Sequence, residues 1–266
     1  MKGGLWPRAS GDSHGIPRSL VFSIATLCVS TLLAACGSSG DPAPPPASQG
    51  IVQDRPIPDV PLISSTGAAT SLASYRGKYV VMAPFLTLCQ DECPLVTGAF
   101  IALQRDVEAA GLGQKVVFME ITVDPGRDGP ARLAAYSKEF GADWPLLTGT
   151  PANLGVLWRS LGVSVQIVPE GQPAKIDWLT GKPLTYDVDH TDGYFLIDPA
   201  GHERFSDSNP PNLRGHLDKK LTSLLNAGGL QNLNHQGNPN WSLSDALSSI
   251  SWLVGQNIPD RTGLSR

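Results

Sequence analysis

The sequence has no excess of positive charge. Its 20 lysines and arginines are outnumbered by 24 aspartates and glutamates, which gives a formal net charge of −4. No basic field is therefore available to hold nucleic acid, and a nucleic-acid partner is excluded. The hydrophobic fraction of 41% is slightly low for a fully globular chain, and 23 prolines with 28 glycines are many, so we expect unstructured flanks around the folded part.

Cysteine is also scarce. The four cysteines are Cys28, Cys36, Cys89 and Cys93. If the first 35 residues are removed and Cys36 is modified, as argued next, only the pair Cys89 and Cys93 remains free. One C-x-x-x-C pair is not the framework of a disulfide-rich domain, which needs several bridges in a short chain. The pair is either functional or a single structural bridge.

Long apolar runs are missing as well. The apolar stretch from Leu20 to Ala35 is shorter than the ~20 residues that span a bilayer. It follows a positively charged start and ends in small residues, which is typical of a secretory signal. Leu33-Ala34-Ala35-Cys36 also resembles the bacterial lipobox, in which the cysteine becomes the lipid-bearing first residue of the mature protein. The alternative is an uncleaved membrane anchor; either one tethers the chain outside the cytoplasm.

Composition divides the chain into four parts. Residues 1–35 are the predicted lipoprotein signal peptide, and residues 36–56, rich in Pro, Gly, Ser and Ala, are a predicted linker. Residues 57–227 are the predicted folded domain, an ordinary size for a single core. Residues 228–266 form a polar tail, in which 241–254 has the pattern of one amphipathic helix.

The domain alternates strand and helix patterns, which predicts an α/β fold with a late antiparallel hairpin and a closing helix. A short hairpin over residues 60–72 comes first. The predicted strands are 79–85, 115–123, 144–148, 163–168, 193–198 and 203–205, and the predicted helices are 95–107, 130–140, 153–161 and 213–225. Residues 169–186 are expected to form an excursion or a ragged hairpin.

Cys89 and Cys93 lie where the first buried strand leads into a helix. Pro94 suits the first turn of that helix, where its missing N–H costs nothing. The positive end of the helix dipole favours the thiolate, the form that attacks disulfides and binds soft metals. Residues four apart share a helix face, with Cα atoms roughly 6 Å apart, which permits a disulfide or convergence on one metal ion.

Two thiolates do not complete a site for most metals, so a third donor is needed. The histidines are His14, His190, His202, His216 and His235. His190 differs from the others because it lies in the segment Tyr186–Asp192, directly before a core strand, where a loop can fold over the cysteines. A lone histidine is more often structural or exposed than a ligand, so spacing alone does not select it.

Three motifs in order extend this argument: Thr87-x-Cys89-x-x-x-Cys93-Pro94, Val123-Asp124-Pro125 and Val188-Asp189-His190-Thr191. Together they resemble the Sco/SenC family of copper proteins over residues 57–225. The resemblance implies a thioredoxin-like fold, a central mixed sheet flanked by helices, here with an N-terminal hairpin and a C-terminal extension. It also implies a membrane-tethered protein that helps to assemble the dinuclear copper centre of cytochrome c oxidase.

Carried over residue by residue, the resemblance implies that Cys89, Cys93 and His190 bind copper, as Cu(I) or Cu(II). Asp124 matches an acidic position near the metal loop, and Asp189 or Asp192 can orient His190, or else only cap the loop. The chain departs from the family pattern at Phe85-Leu86-Thr87, where Gly-Phe-Thr is usual, and at Leu88. Neither departure removes a donor.

These expectations amount to a copper chaperone on the outer face of a bacterial cell membrane, anchored by a lipid on Cys36, with the copper-bearing oxidase subunit as its partner. The alternative is an enzyme, a thiol–disulfide oxidoreductase that uses Cys89 and Cys93 to keep the target's cysteines reduced. A peroxidase of the same fold would need a Thr-x-x-Cys setting, whereas Thr87 is only two residues before Cys89. The sequence of the tail, residues 228–266, indicates no function.

Overall fold

A mixed sheet of eight strands forms the centre of the structure, a computed structural model that describes residues 50–234, 240–261 and 263. The strands are β1 (Ile51–Pro56), β2 (Leu62–Ser64), β3 (Ala69–Thr70), β4 (Tyr79–Phe85), β5 (Val116–Thr122), β6 (Leu146–Thr148), β7 (Val165–Pro169), β8 (Tyr186–His190), β9 (Tyr194–Ile197), β10 (His202–Asp207), β11 (Pro211–Asn212) and β12 (Trp241–Ser242). The helices are α1 (Cys93–Ala109), α2 (Pro130–Phe140), α3 (Pro151–Ser160), α4 (Lys219–Thr222), α5 (Ala227–Asn234) and α6 (Leu243–Val254). The predicted signal peptide, Cys36, His14 and His235 lie outside the described residues.

The sheet order is β1-β10-β9-β4-β5-β6-β2-β3. β4 runs parallel to β5, and β5 runs parallel to β6, whereas β9 is antiparallel to β4. β4 is buried along almost its whole length, as expected for an apolar run in the middle of a sheet. The predicted thioredoxin-like α/β fold is confirmed, and so is the N-terminal hairpin, which β2 and β3 form.

Helices pack against the sheet through aromatic side chains. Phe100 of α1 lies edge-on to Phe118 of β5, with ring centroids 5.3 Å apart. Tyr136 of α2 meets Phe85 of β4 at 5.7 Å. Because β4 and β5 are parallel, their carboxyl ends lie at the same edge of the sheet, and the loops that follow them are neighbours. None of the helices in the described ranges is long and apolar enough to cross a bilayer.

The predicted linker ends earlier than expected, because residues 51–56 form the edge strand β1. This strand pairs antiparallel with β10. Its side chains reach the fully buried Glu203 of β10, to which both Gln53 and Arg55 donate hydrogen bonds. The linker prediction was wrong here because β1 has no buried apolar face of its own and is held by pairing and charge.

The predicted closing helix over residues 213–225 is also wrong. Only α4 is helical in this range, because Arg214 and Gly215 have φ values of 50° and 81°, outside the helical region. Leu213 and Leu221 are buried as predicted, although one helix does not carry them both.

The polar tail is part of the same fold rather than a separate appendage. β12 pairs in parallel with β11, and α6 packs against α1 and β4. Ser242 and Asp245 form a capping box at the start of α6, which fixes where that helix begins. The predicted amphipathic helix over 241–254 is therefore confirmed as α6, which begins two residues later. It packs on the folded domain and not away from it.

Candidate metal centre

The loop between β4 and α1 is anchored by a buried threonine. The Thr87 backbone N–H and hydroxyl donate to the two carboxylate oxygens of Asp128, at 3.0 and 2.5 Å. The hydroxyl of Thr122, at the end of β5, donates to the same carboxylate at 2.7 Å. Burial raises the pKa of Asp128 to about 6, although these hydrogen bonds counteract the rise. Sequence reasoning missed Asp128; its one signal was its place in the loop after β5.

The two cysteines occupy different positions relative to α1. Cys93 is the first residue of the helix, whereas Cys89 lies in the preceding loop, so the prediction that both share a helix face is wrong. They remain close, because the Cys93 backbone N–H points at the Cys89 sulfur with an N···Sγ distance of 3.4 Å. Both are free thiols. The loop, rather than the helix, therefore determines where the Cys89 sulfur lies.

The environment of Cys93 does not favour its thiolate. The side chain is 1% exposed. Burial raises the pKa of the Cys93 thiol well above its usual value, and the adjacent Cys89 raises it further. The expectation that the helix terminus would favour the thiolate is not met at Cys93, because the desolvation of this buried side chain outweighs the helix dipole.

His190 lies beside Cys93, one of the two cysteines with which the sequence analysis grouped it. Its Nε2 atom lies 3.4 Å from the Cys93 sulfur. Its Nδ1 atom is 3.0 Å from the carbonyl oxygen of Thr191. We assign the proton to Nδ1, which donates to that carbonyl and leaves the Nε2 lone pair directed at Cys93. The histidine is delivered by strand β8 and not by a loop, in register with Val165 of β7.

The aspartates expected around His190 have other roles. Asp189 is exposed and lies on the opposite face of β8 from His190, because side chains alternate along a strand. Asp192 influences His190 electrostatically, and burial raises the pKa of this carboxyl. The hydrogen-bond partner that fixes the imidazole is the Thr191 carbonyl, which the sequence analysis did not identify.

Asp124 supports the strand that carries His190. It pairs with the Arg127 guanidinium and accepts a hydrogen bond from the Tyr186 hydroxyl at 3.0 Å. Arg127 also stacks on the Tyr186 ring, 3.7 Å from its centroid. Asp124 therefore joins the start of β8 to the loop after β5, and the structure shows no contact between Asp124 and His190 in the described residues.

The other predicted donors are placed elsewhere. His202 pairs with Asp54 of β1 at 2.6 Å, and His216 is exposed. Two acids, Asp91 and Glu92, lie within the cysteine loop. Both accept a hydrogen bond from the side-chain amide of Asn232. Burial, with Asp192 and Asp91 nearby, raises the pKa of Glu92 to about 8. The sequence analysis did not connect these residues.

The donor separation fits one shared ion. With metal–sulfur and metal–nitrogen bonds of about 2.3 and about 2.0 Å, two ligands at a tetrahedral angle lie about 3.5 Å apart. The Cys93 sulfur and His190 Nε2 are 3.4 Å apart. No group of three or more His, Cys, Asp or Glu side chains in the described ranges is already arranged to hold an ion. In the part of the chain that the structure describes, Cys93 and His190 are thus two adjacent donor atoms and not a complete ion site.

Comparison with known protein families gives one match over most of the folded part. A family model described as SCO1/SenC matches residues 54–214. The chain is 29% identical over 143 residues to the mitochondrial Protein SCO2 homolog of Bos taurus, covering 54% of this chain and 50% of that protein. It is 27% identical over 169 residues to a "Putative copper-binding protein" of Stutzerimonas stutzeri, covering 64% of this chain and 72% of that protein. The chain thus spans about half the length of the mammalian relatives it matches.

Solved structures give similar matches. Copper-bound ScoI of Arabidopsis thaliana is 26% identical, with a TM-score of 0.49 over 63% of this chain and 93% of that one. Copper-bound ScoI of Bradyrhizobium japonicum is 27% identical, with a TM-score of 0.48 over 63% of this chain and 96% of that one.

Proposed function

The chain belongs to the SCO1/SenC family, and from this premise we propose that it binds copper through Cys89, Cys93 and His190 and helps to assemble the dinuclear copper centre of cytochrome c oxidase. Copper is the cargo in this function. The observation that carries the proposal is the contact between the Cys93 sulfur and His190 Nε2 at 3.4 Å, which joins two segments 97 residues apart.

The donor types suit copper. Thiolates favour Cu(I), and imidazole accepts either Cu(I) or Cu(II), so two sulfurs and one nitrogen can hold both oxidation states. Cys89 is the third donor in this proposal, because its sulfur already accepts the Cys93 N–H. The Thr191 carbonyl keeps Nε2 free for the ion by taking the Nδ1 proton. Binding displaces the thiol protons, so it weakens as the pH falls.

The location of the protein follows from its first residues. Residues 1–35 act as the lipoprotein signal, and a lipid on Cys36 anchors the domain on the extracytoplasmic face of a bacterial cell membrane. Residues 37–50 then space the domain from the membrane surface, with β1 as its first fixed strand. The partner is the copper-bearing oxidase subunit, which faces the same compartment and takes copper by ligand exchange.

A second candidate function is thiol–disulfide exchange. It is favoured by the two free thiols, which lie close enough for the Cys93 backbone N–H to donate to the Cys89 sulfur. In this function Cys89, which is more exposed than Cys93, attacks the disulfide of the target, and Cys93 resolves the mixed disulfide. Exchange needs both cysteines but does not need His190.

The change His190→Ala separates the two functions. We expect it to lower the affinity for Cu(I) at least about a hundredfold, because one of three donors is lost. The rate of disulfide exchange should stay within about twofold. The measurement is competition with a chromophoric Cu(I) chelator on reduced protein starting at Gly40, beside a dithiol exchange assay.

His216→Ala is the matched control, because His216 is exposed and lies apart from the cysteine loop. It should bind copper like the parent chain. Unchanged copper affinity in His190→Ala, with fast exchange, would overturn the chaperone proposal and leave the oxidoreductase.

A further inference from the structure

Helix α5 lies directly against the cysteine loop. It begins after Asn226, whose backbone N–H donates to the carbonyl of Gln90 at 2.8 Å. The Asn226 side chain in turn accepts from the Gly229 N–H at 2.8 Å, which caps the start of the helix. The first turn of α5 is thus built onto the residue that follows Cys89.

The approach is close because α5 has glycine where it meets the loop. A Cβ atom on Gly229 would lie 2.7 Å from the Gln90 carbonyl oxygen and 3.1 Å from the Asp91 Cα. The first distance is too short for any residue with a Cβ atom unless one backbone is displaced, and the second is tight. The contact between α5 and residues 90–91 is therefore backbone against backbone.

The second turn of α5 adds a polar clamp. The side-chain amide of Asn232 donates to Asp91 at 2.7 Å and to Glu92 at 2.5 Å. These acids are the last two loop residues before Cys93. One amide group thus bridges two adjacent carboxyl groups and holds the loop where it turns into α1.

The opposite side of the loop is held separately. The Gln90 side chain donates to the Ile176 carbonyl at 2.8 Å, and the Trp178 indole donates to the Thr87 carbonyl at 2.8 Å. The loop that carries Cys89 is therefore fixed on both sides. The second support, α5, lies beyond residue 214, where the match to the family ends.

We propose that α5 is a positioning element for the cysteine site, in which Gly229 and Asn232 hold the Cys89–Cys93 loop closed. This inference deepens the proposed function. Its expected effect on copper release rests on the proposed function, whereas its effect on Cys89 reactivity does not. Without the clamp, the loop opens more often, Cys89 becomes more reactive, and bound Cu(I) is released faster.

The test is the alkylation rate of Cys89 in the reduced, copper-free full chain, followed with iodoacetamide and peptide mapping by mass spectrometry. Asn232→Ala removes the clamp, and Gly229→Ala forces the helix away from Gln90. Each should raise the rate at Cys89 about tenfold, because the loop then opens more often by local unfolding. The melting temperature should change little, and the buried Cys93 should stay slow.

Gln231→Ala is the matched control, because Gln231 is an exposed residue of the same helix. An unchanged Cys89 rate in both clamp variants would overturn the inference. Global unfolding of both would also overturn it, because α5 would then be an ordinary part of the core. If the parent chain fails to bind copper, the proposed function fails, while the alkylation result still decides the role of α5.

Discussion

Two regions outside the main sheet reach the cysteine loop, and they are held in different ways. The hairpin arm, residues 165–190, brings His190 and combines ion pairs with aromatic packing: Lys175 pairs with Asp187, Arg132 of α2 pairs with Asp177, and Trp178 lies edge-on to Phe140. Its apolar Ile167 is 69% exposed. The C-terminal segment, residues 211–258, brings none of the proposed donors and is fixed by apolar burial, with Trp241 fully buried.

The two regions thus differ in the contacts that hold them and in whether they bring a proposed donor to the cysteine loop. The ion pairs of the hairpin arm are largely shielded, with side-chain exposures of 15% and 10% for Arg132 and Asp177, so they should contribute more than a fully exposed pair. A segment anchored by buried aromatic and leucine side chains cannot shift without loss of core packing. We therefore expect the loss of a fully buried side chain in the C-terminal segment to cost more stability than the loss of an ion pair in the hairpin arm.

The largest expected effect is on the C-terminal segment. Trp241→Ala removes a ring that lies 4.9 Å from Tyr194 and donates to the Asn209 carbonyl at 2.7 Å. We expect the free energy of unfolding to fall by about 3–5 kcal/mol. Urea unfolding measures it, with the partly exposed Trp252→Ala as the control. A loss below about 1 kcal/mol would mean that the segment is not anchored by burial.

A buried carboxyl group in the main sheet should make the stability of the protein depend on pH. Glu120 of β5 is fully buried and accepts hydrogen bonds from Thr97 and the Trp144 indole. Burial raises the pKa of Glu120 to about 7. The unfolded chain therefore loses this proton first, at about pH 4.3, so the contribution of Glu120 to stability is complete below that pH and is lost as the pH rises to 7.

The change Glu120→Gln removes this pH dependence. Its amide can donate to Thr97 while its carbonyl accepts from Trp144. The stability of the variant relative to the parent chain should increase by up to about 3 kcal/mol between pH 4 and pH 8. Urea titrations at both pH values measure the difference. A constant difference would show that Glu120 is ionised in the folded protein.

The smallest expected effect is on the hairpin arm. Here the contribution to stability is lost as the pH falls, whereas that of Glu120 is lost as the pH rises. The Arg132 guanidinium donates to both oxygens of Asp177, at 3.0 and 2.6 Å, and holds the pKa of that carboxyl well below its usual range. Such a pair stabilises the fold above the unfolded pKa of about 3.9 and stops doing so as the pH falls. Arg132→Met should cost about 1–2 kcal/mol above pH 5 and progressively less below pH 4.

The exposed pair of Lys220 and Glu139 supplies the control for that prediction. Lys220→Met should change stability by less than about 0.5 kcal/mol, because both side chains are open to solvent. Arg132→Met should also make the hairpin arm more sensitive to protease, whereas Lys220→Met should not. If Arg132→Met and Lys220→Met changed stability and protease sensitivity equally, the Arg132–Asp177 pair would not stabilise the hairpin arm more than an exposed pair does.

Strong local patterns predicted the centre of the fold. The apolar run 79–85 is β4 with the predicted bounds, and the helix over 130–140 is α2 with the predicted bounds. Both segments bury side chains in a pattern that their own sequence shows. The strands β1 and β8 were missed because their polar residues form strands only through pairing with β10 and β7.

The site divides in the same way. The sequence by itself indicated the proposed donors, because two cysteines four apart beside a proline, and one histidine before a core strand, follow from residue types, order and the family resemblance. Only the tertiary structure decided that Cys89 lies off the helix, that burial raises the pKa of the Cys93 thiol, and that Asp128 and α5 contact the loop. These features depend on solvent exclusion and on contacts between residues far apart in the chain, which no local pattern encodes.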